Sequence, residues 1–145
     1  MDKFEQFLKM TGDAIVISDI SGIITGWNPA AERLFGYAQS EALGSSLDII
    51  IPERYRDRHW DGYCHTMQTG LTKYSTSLLR VPSLKQGGDT LSIAFTVALL
   101  FDECGKPEFI VTVIRDETSR FNEERLLRKR LAEIQIDLDK LMGKS

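Results

Sequence analysis

One stretch near the middle of the chain restricts its folding most. Leu91, Ile93, Phe95, Val97 and Leu99 alternate with Ser92, Ala94, Thr96 and Ala98. That two-residue period belongs to a β-strand with one buried face. Such a strand needs partners beside it and a second layer to cover its apolar side. Partners are legible in both directions. Tyr74–Val81 and Phe109–Arg115 read as two more strands, with Gly87-Gly88-Asp89 and Asp102–Lys106 as the turns between them. Towards the N-terminus, Ala14–Ser18 and Ile23–Trp27 are two β runs around the hairpin turn Asp19-Ile20-Ser21-Gly22.

Helical signals lie between and around these runs. Asn28-Pro29 is a helix start, with Asn28 as N-cap and Pro29 at the first helical position. That helix runs over Ala30–Tyr37, with Gly36 closing it early. Ser40 is expected to cap Glu41-Ala42-Leu43, and Ile51-Pro52-Glu53 opens another element. Asp57–Met67 is the longest helical candidate of this region and ends at Thr69-Gly70. At the N-terminus, Phe4, Phe7 and Leu8 have the spacing of a short amphipathic helix broken by Gly12-Asp13. The order of strands, helices and then three antiparallel strands is that of an α+β domain.

From Thr118 to Gly143 no turn residue intervenes, so the tail reads as one long helix. Leu127, Leu131, Ile134, Leu138 and Leu141 step by four and three, a heptad seam in which Glu123 and Arg128 take the flanking charged positions. This stripe either pairs with a second copy in a coiled coil or packs on the chain's own sheet. The first is the expectation, because everything before Thr118 already makes a complete unit. Phe4, Phe7 and Leu8 are assigned to the same homodimer interface.

Composition narrows the function. A chain of 145 residues is about one domain, which leaves no room for a second catalytic domain. A net charge of −3 argues against a nucleic-acid partner, which needs a basic face. Cys64 and Cys104 fit neither a disulfide framework nor a paired-cysteine metal site. No apolar run approaches a membrane span and no signal-peptide core is visible, so the expected location is the cytoplasm, with no membrane partner. Phosphate loops, zinc-protease motifs and nucleophile elbows are missing, and the chain is expected not to be an enzyme. Gly87-Gly88-Asp89 matches the first half of a diguanylate cyclase signature, but Thr90-Leu91 follow, and a hairpin turn accounts for it.

Four segments carry a resemblance. Asp13–Asp19, Gly22–Ala31 and Leu34-Phe35-Gly36-Tyr37 resemble the opening half of a PAS domain. Ile114-Arg115-Asp116-Glu117-Thr118 is similar to the family's closing motif, where the last strand passes into a signalling helix. The resemblance implies a PAS fold: a five-stranded antiparallel sheet with short helices on one face. It also implies a sensory function that passes a signal to a downstream effector or output domain. The chain then divides into a cap helix over 1–11, a sensory domain over 12–117 and a signalling and dimerisation helix over 118–145.

The segment Ile51–Tyr63 resembles more narrowly the haem-binding helix of the PAS oxygen sensors, where a Pro-Glu-x-Tyr-Arg run precedes an axial histidine and Asp-Gly-Tyr. Counted from Pro52, the histidine is His59; Trp60 is an extra residue before Asp61-Gly62-Tyr63. The resemblance implies b-type haem with His59 on the iron and a diatomic gas (oxygen, CO or NO) as the signal. Gly62 and Tyr63 would then lie beside the macrocycle. Arg80 is the nearest match to an arginine that hydrogen-bonds bound oxygen in those sensors, and Leu78, Ile93, Phe95, Val111 and Val113 would surround the distal side. Alternation alone leaves open which face of its strand Arg80 occupies. Flavin is not expected, since nothing like the Asn-Cys-Arg-Phe-Leu-Gln motif of the light receptors occurs. The alternatives are a PAS domain that binds another small ligand and one that serves only as a dimerisation or protein-interaction module.

Overall fold

Asn28 shows how local chemistry starts this fold. Its side-chain oxygen accepts from the backbone N–H of Ala31 at 3.0 Å, capping a helix, and from that of Ile15 at 2.8 Å, holding a strand. Its amide nitrogen donates to the carbonyls of Leu8 and Asp13 at 2.9 and 3.0 Å. One buried side chain thus fastens the N-terminal helix, the first strand and the second helix together.

The computed structural model describes residues 2–71 and 78–143. The elements run α1 (Lys3–Met10), β1 (Ala14–Asp19), β2 (Ile24–Trp27), α2 (Pro29–Phe35), α3 (Gln39–Ala42), two short 3₁₀ turns at Leu47–Ile50 and Glu53–Tyr55, and α4 (Arg56–Thr69). Then come β3 (Leu79–Leu84), β4 (Thr90–Phe101), β5 (Pro107–Asp116) and α5 (Thr118–Leu141). Among the described residues the strands form one antiparallel sheet in the order β2-β1-β5-β4-β3, the α+β arrangement expected.

Two expected elements begin elsewhere. The strand expected at Tyr74–Val81 is found at Leu79–Leu84, while 72–77 lie outside the described residues. It continues through Pro82 because it is an edge strand, where a missing N–H costs no ladder bond. Helix α3 starts at Gln39, and Ser40 is not its cap: the Glu41 carboxylate accepts from the Ala38 N–H at 3.0 Å.

The register decides which side chains face the core. Directly opposed residues share a face. Phe95 pairs with Leu79 and Ile114, and Ile93 with Val81. Ala14 and Val16 pair with Ile114 and Thr112, and Trp27 with Val16. This inner face meets Ala31, Phe35, Ala42, Leu47, Ile50 and Tyr63 of the helical layer in one core. The stripe Leu91–Leu99 points inward as its alternation predicts: Leu91 and Ile93 are buried, and Phe95, Val97 and Leu99 are packed on the core but only partly covered.

Helix α5 leaves the sheet at a fixed joint. The Glu117 N–H donates to the Ser92 carbonyl at 2.7 Å, and the Thr118 hydroxyl accepts from the Ser92 N–H at 3.1 Å. Beyond the joint, Leu127, Leu131, Ile134, Leu138 and Leu141 are all exposed, so the stripe does not pack on the chain's own sheet. Phe4 and Phe7 of α1 are exposed in the same way, and Leu8 is half-buried. Among the described residues no helix is long and apolar enough to cross a membrane.

Candidate functional site

Helix α4 is held at its start by Arg56, whose guanidinium donates to the carbonyls of Ile51 at 3.0 Å and Asp48 at 3.2 Å. One turn on, the Trp60 indole N–H donates to the Asp48 carboxylate at 2.7 Å. At the next turn Tyr63 is buried, with its hydroxyl 2.9 Å from the Ser18 hydroxyl and donating to the Asp19 carbonyl. Residues 56, 60 and 63 fall on one helical face, which is why these three pin α4 to the 3₁₀ turn and to β1.

His59 sits among these anchors. Its ring centroid is 4.7 Å from that of Trp60 and 5.6 Å from that of Tyr63. Its Nδ1 is buried and has no hydrogen-bond partner among the described residues. Burial pushes the imidazole below the usual histidine range, and the Asp48 carboxylate acts against that shift. Burial thus favours the neutral imidazole, the form that binds metals. Among the described residues no group of three or more His, Cys, Asp or Glu side chains is placed to hold a metal ion. His59 offers one ligand, and an iron porphyrin needs no more than that from one side of its ring.

The other expected site residues divide. Ile93 and Phe95 lie on the inner face, with Ile93 in the core and Phe95 partly covered. Arg80 does not lie there. It pairs with Ala94, which pairs with Arg115, and all three face outward. Val111 and Val113 pair with Ala98 and Thr96 and are likewise on the outer face; Ile110, Thr112 and Ile114 are the inward residues of β5. Leu78 precedes β3 and is 49% exposed. Gly62 is exposed, and a Cβ there would meet nothing within 4 Å, so it does not lie against the sheet. His65 is exposed as well. In each strand the pleat sets the outcome, since a shift of one residue reverses the face.

Some residues of the site were not anticipated. Asp48 lies on a 3₁₀ turn twelve positions before Trp60, and nothing local marks it. Ser18 is legible only as a polar residue ending the apolar run of β1; it is 1% exposed. Ile49, Ile51 and Met67 join Phe95, Val97 and Leu99 as partly covered apolar residues on the core. Two clefts are present, one of about 270 Å³ beside Asp13 and Arg115 and one of about 470 Å³ beside Cys64 and Met67, and His59 lines neither.

Comparison with known proteins names this architecture. Residues 2–117 match the model of the PAS fold family. The chain belongs to the PAS family. It is 31% identical over 127 residues to Sensor protein FixL of Bradyrhizobium diazoefficiens, covering 87% of this chain and 24% of that protein. It is 25% identical over 103 residues to Oxygen sensor protein DosP of Escherichia coli, covering 71% of this chain and 13% of that one. A solved structure of an RNA-binding Light-Oxygen-Voltage receptor superposes with a TM-score of 0.70 at 18% identity, covering 92% of this chain and 37% of that one. At that identity the likeness concerns the fold alone. This PAS domain spans about a quarter or less of the length of these two curated relatives.

Proposed function

We propose that this PAS domain is a sensor module that holds b-type haem on His59 and reports a diatomic gas through α5. The single observation that carries the reading is the buried Nδ1 of half-buried His59, without a partner among the described residues, at the position the haem-binding PAS helix predicts. The name of the relative Oxygen sensor protein DosP supports the same class of signal. The partly covered apolar residues Ile49, Ile51, Phe95, Val97 and Leu99 offer the kind of surface an apolar macrocycle buries. When bound, haem supplies an iron with a position open to oxygen, CO or NO. Arg80 has no part in this reading, and the module carries out no covalent chemistry.

The chain's own residues supply the signal path. Displacement of His59 moves α4, which Tyr63 ties to β1 and Trp60 ties to the 3₁₀ turn. Strand β1 is paired along its length with β5, and β5 runs directly into α5. The ion pair of Arg115 with Asp13 at 3.0 Å adds a second tie at that end of the sheet. A gas shifts the balance between two arrangements only so far as it favours the contacts of one of them. Two copies join through the α5 stripe and through Phe4, Phe7 and Leu8 of α1, and α5 delivers the change to an output domain or effector in the cytoplasm.

The test is the visible spectrum of purified protein titrated with hemin. A Soret band that His59→Ala abolishes is expected. A band unchanged by His59→Ala, or no band at all, removes the haem assignment and leaves a PAS module for another ligand or for dimerisation.

A further inference from the structure

Histidines that ligate metals usually donate their second ring N–H to a carboxylate or a carbonyl, and that bond fixes the ring plane. His59 lacks it, because Nδ1 has no partner among the described residues. Something else has to set the plane of this imidazole. Trp60 stands edge-on to it, with the two rings inclined at 76°, and Tyr63 packs beside Trp60, inclined to the imidazole at 41°. Trp60 and Tyr63 also touch each other, with centroids 5.3 Å apart, so the three rings form one cluster.

Each of these two neighbouring rings is itself immobilised from a different element. Tyr63 is fixed by Ser18 and Asp19 at the end of β1. Trp60 is fixed twice. Its N–H donates to the Asp48 carboxylate, and Asp48 is set by the Ser46 hydroxyl, which accepts from the Asp48 N–H at 3.1 Å. Its six-membered ring lies on Gly22, where a Cβ would come within 2.1 Å of Cη2 and 2.2 Å of Cζ3. Gly22 has φ +80°, so the hairpin turn both requires glycine and uses the missing side chain as the seat of the indole.

We infer that Trp60, the residue by which this chain departs from the haem-binding helix it resembles, is a positioning residue for His59. Seated on Gly22 and pinned by Asp48, it sets the imidazole plane by packing in place of an outer hydrogen bond. The inference deepens the haem reading, and it makes a claim about the haem-free protein as well.

The experiment has two arms. In haem-free protein, nuclear Overhauser contacts from the His59 ring protons to Trp60 and Tyr63 report the ring plane directly. Trp60→Leu is expected to abolish the remaining His59–Tyr63 contacts while the rest of the spectrum stays folded. Asp48→Asn, which keeps an acceptor oxygen, is expected to preserve them. In haem-loaded protein, transfer of haem to excess apomyoglobin is expected to be about tenfold faster for Trp60→Leu and within about twofold of wild type for Asp48→Asn. Should Trp60→Leu not fold, Trp60→Phe takes its place, with about threefold faster transfer expected as the pin to Asp48 is lost. His59–Tyr63 contacts unchanged in a folded Trp60 variant overturn the inference. So does transfer at the wild-type rate from a sample whose Soret band depends on His59. A band independent of His59 overturns the haem reading instead, and the contacts in haem-free protein still decide the role of Trp60.

Discussion

The hydroxyls of Tyr63 and Ser18 meet at 2.9 Å inside the core, joining α4 to β1 across forty-five positions. Removing the Tyr63 oxygen strips a partner from buried Ser18 and from the Asp19 carbonyl. Tyr63→Phe should therefore cost about 1–2 kcal/mol in urea unfolding of the haem-free protein. Alkaline pH gives an independent check. Burial pushes the Tyr63 hydroxyl from 10.0 up to about 12. The folded state then keeps its proton in a range where the unfolded chain has lost it, so this contribution is full below pH 10 and is lost as pH rises towards 12. Between pH 9 and 11 the wild-type urea midpoint should fall further than that of Tyr63→Phe. Equal falls would place the burden elsewhere.

Gly22 and Trp60 should show strong coupling. A methyl group at position 22 meets the indole at 2.1 Å and also sits at φ +80°. Gly22→Ala is expected to destabilise the chain by about 2–4 kcal/mol, the sum of overpacking and backbone strain. In a Trp60→Ala background the overpacking disappears and only about 1 kcal/mol of strain should remain. Equal costs in the two backgrounds would mean that the indole does not rest on the turn.

Arg80 tests the register of the edge strand. Because it faces outward beside Ala94, Arg80→Ala should change stability by no more than about 0.5 kcal/mol and leave the visible spectrum and the gas affinity of haem-loaded protein unaltered. Ile93, on the neighbouring strand but facing the core, should lose about 2–5 kcal/mol on truncation to alanine. A gas affinity that collapses in Arg80→Ala would require β3 to pair one residue out of the observed register.

The exposed stripe of α5 predicts an assembly. Leu131 and Leu138 are 65% and 47% exposed in the single chain, so charged residues there leave the core untouched. Wild-type protein should sediment as a dimer, and Leu131→Glu with Leu138→Glu as a folded monomer. A dimer that survives both substitutions moves the interface away from α5.

Much of this architecture was readable from local pattern, and the failures have one cause. Alternation at Leu91–Leu99 identified an inward face because its two sets differ: large aliphatic and aromatic residues against Ser, Ala and Thr. In β5 both sets are apolar, Ile110 and Ile114 against Val111 and Val113, and only pairing with β4 separates them. Arg80 carries no facial information of its own, and Pro82 hid the strand beyond it. His59 was legible because its neighbours in sequence form a pattern. Asp48, which holds the residue beside it, was not, since a contact between a 3₁₀ turn and a helix leaves no spacing to read. Local chemistry writes the elements and their caps; contacts between elements come only with the assembled register.

The central claim is that His59 is the single protein ligand of a haem iron. Its most direct measurement is the visible absorption of protein loaded with hemin, compared between wild type and His59→Ala at equal folded concentration. A Soret band in the wild type that is lost in the variant, and restored when free imidazole is added, is the expected result. A band of the same position and intensity in both proteins would contradict it.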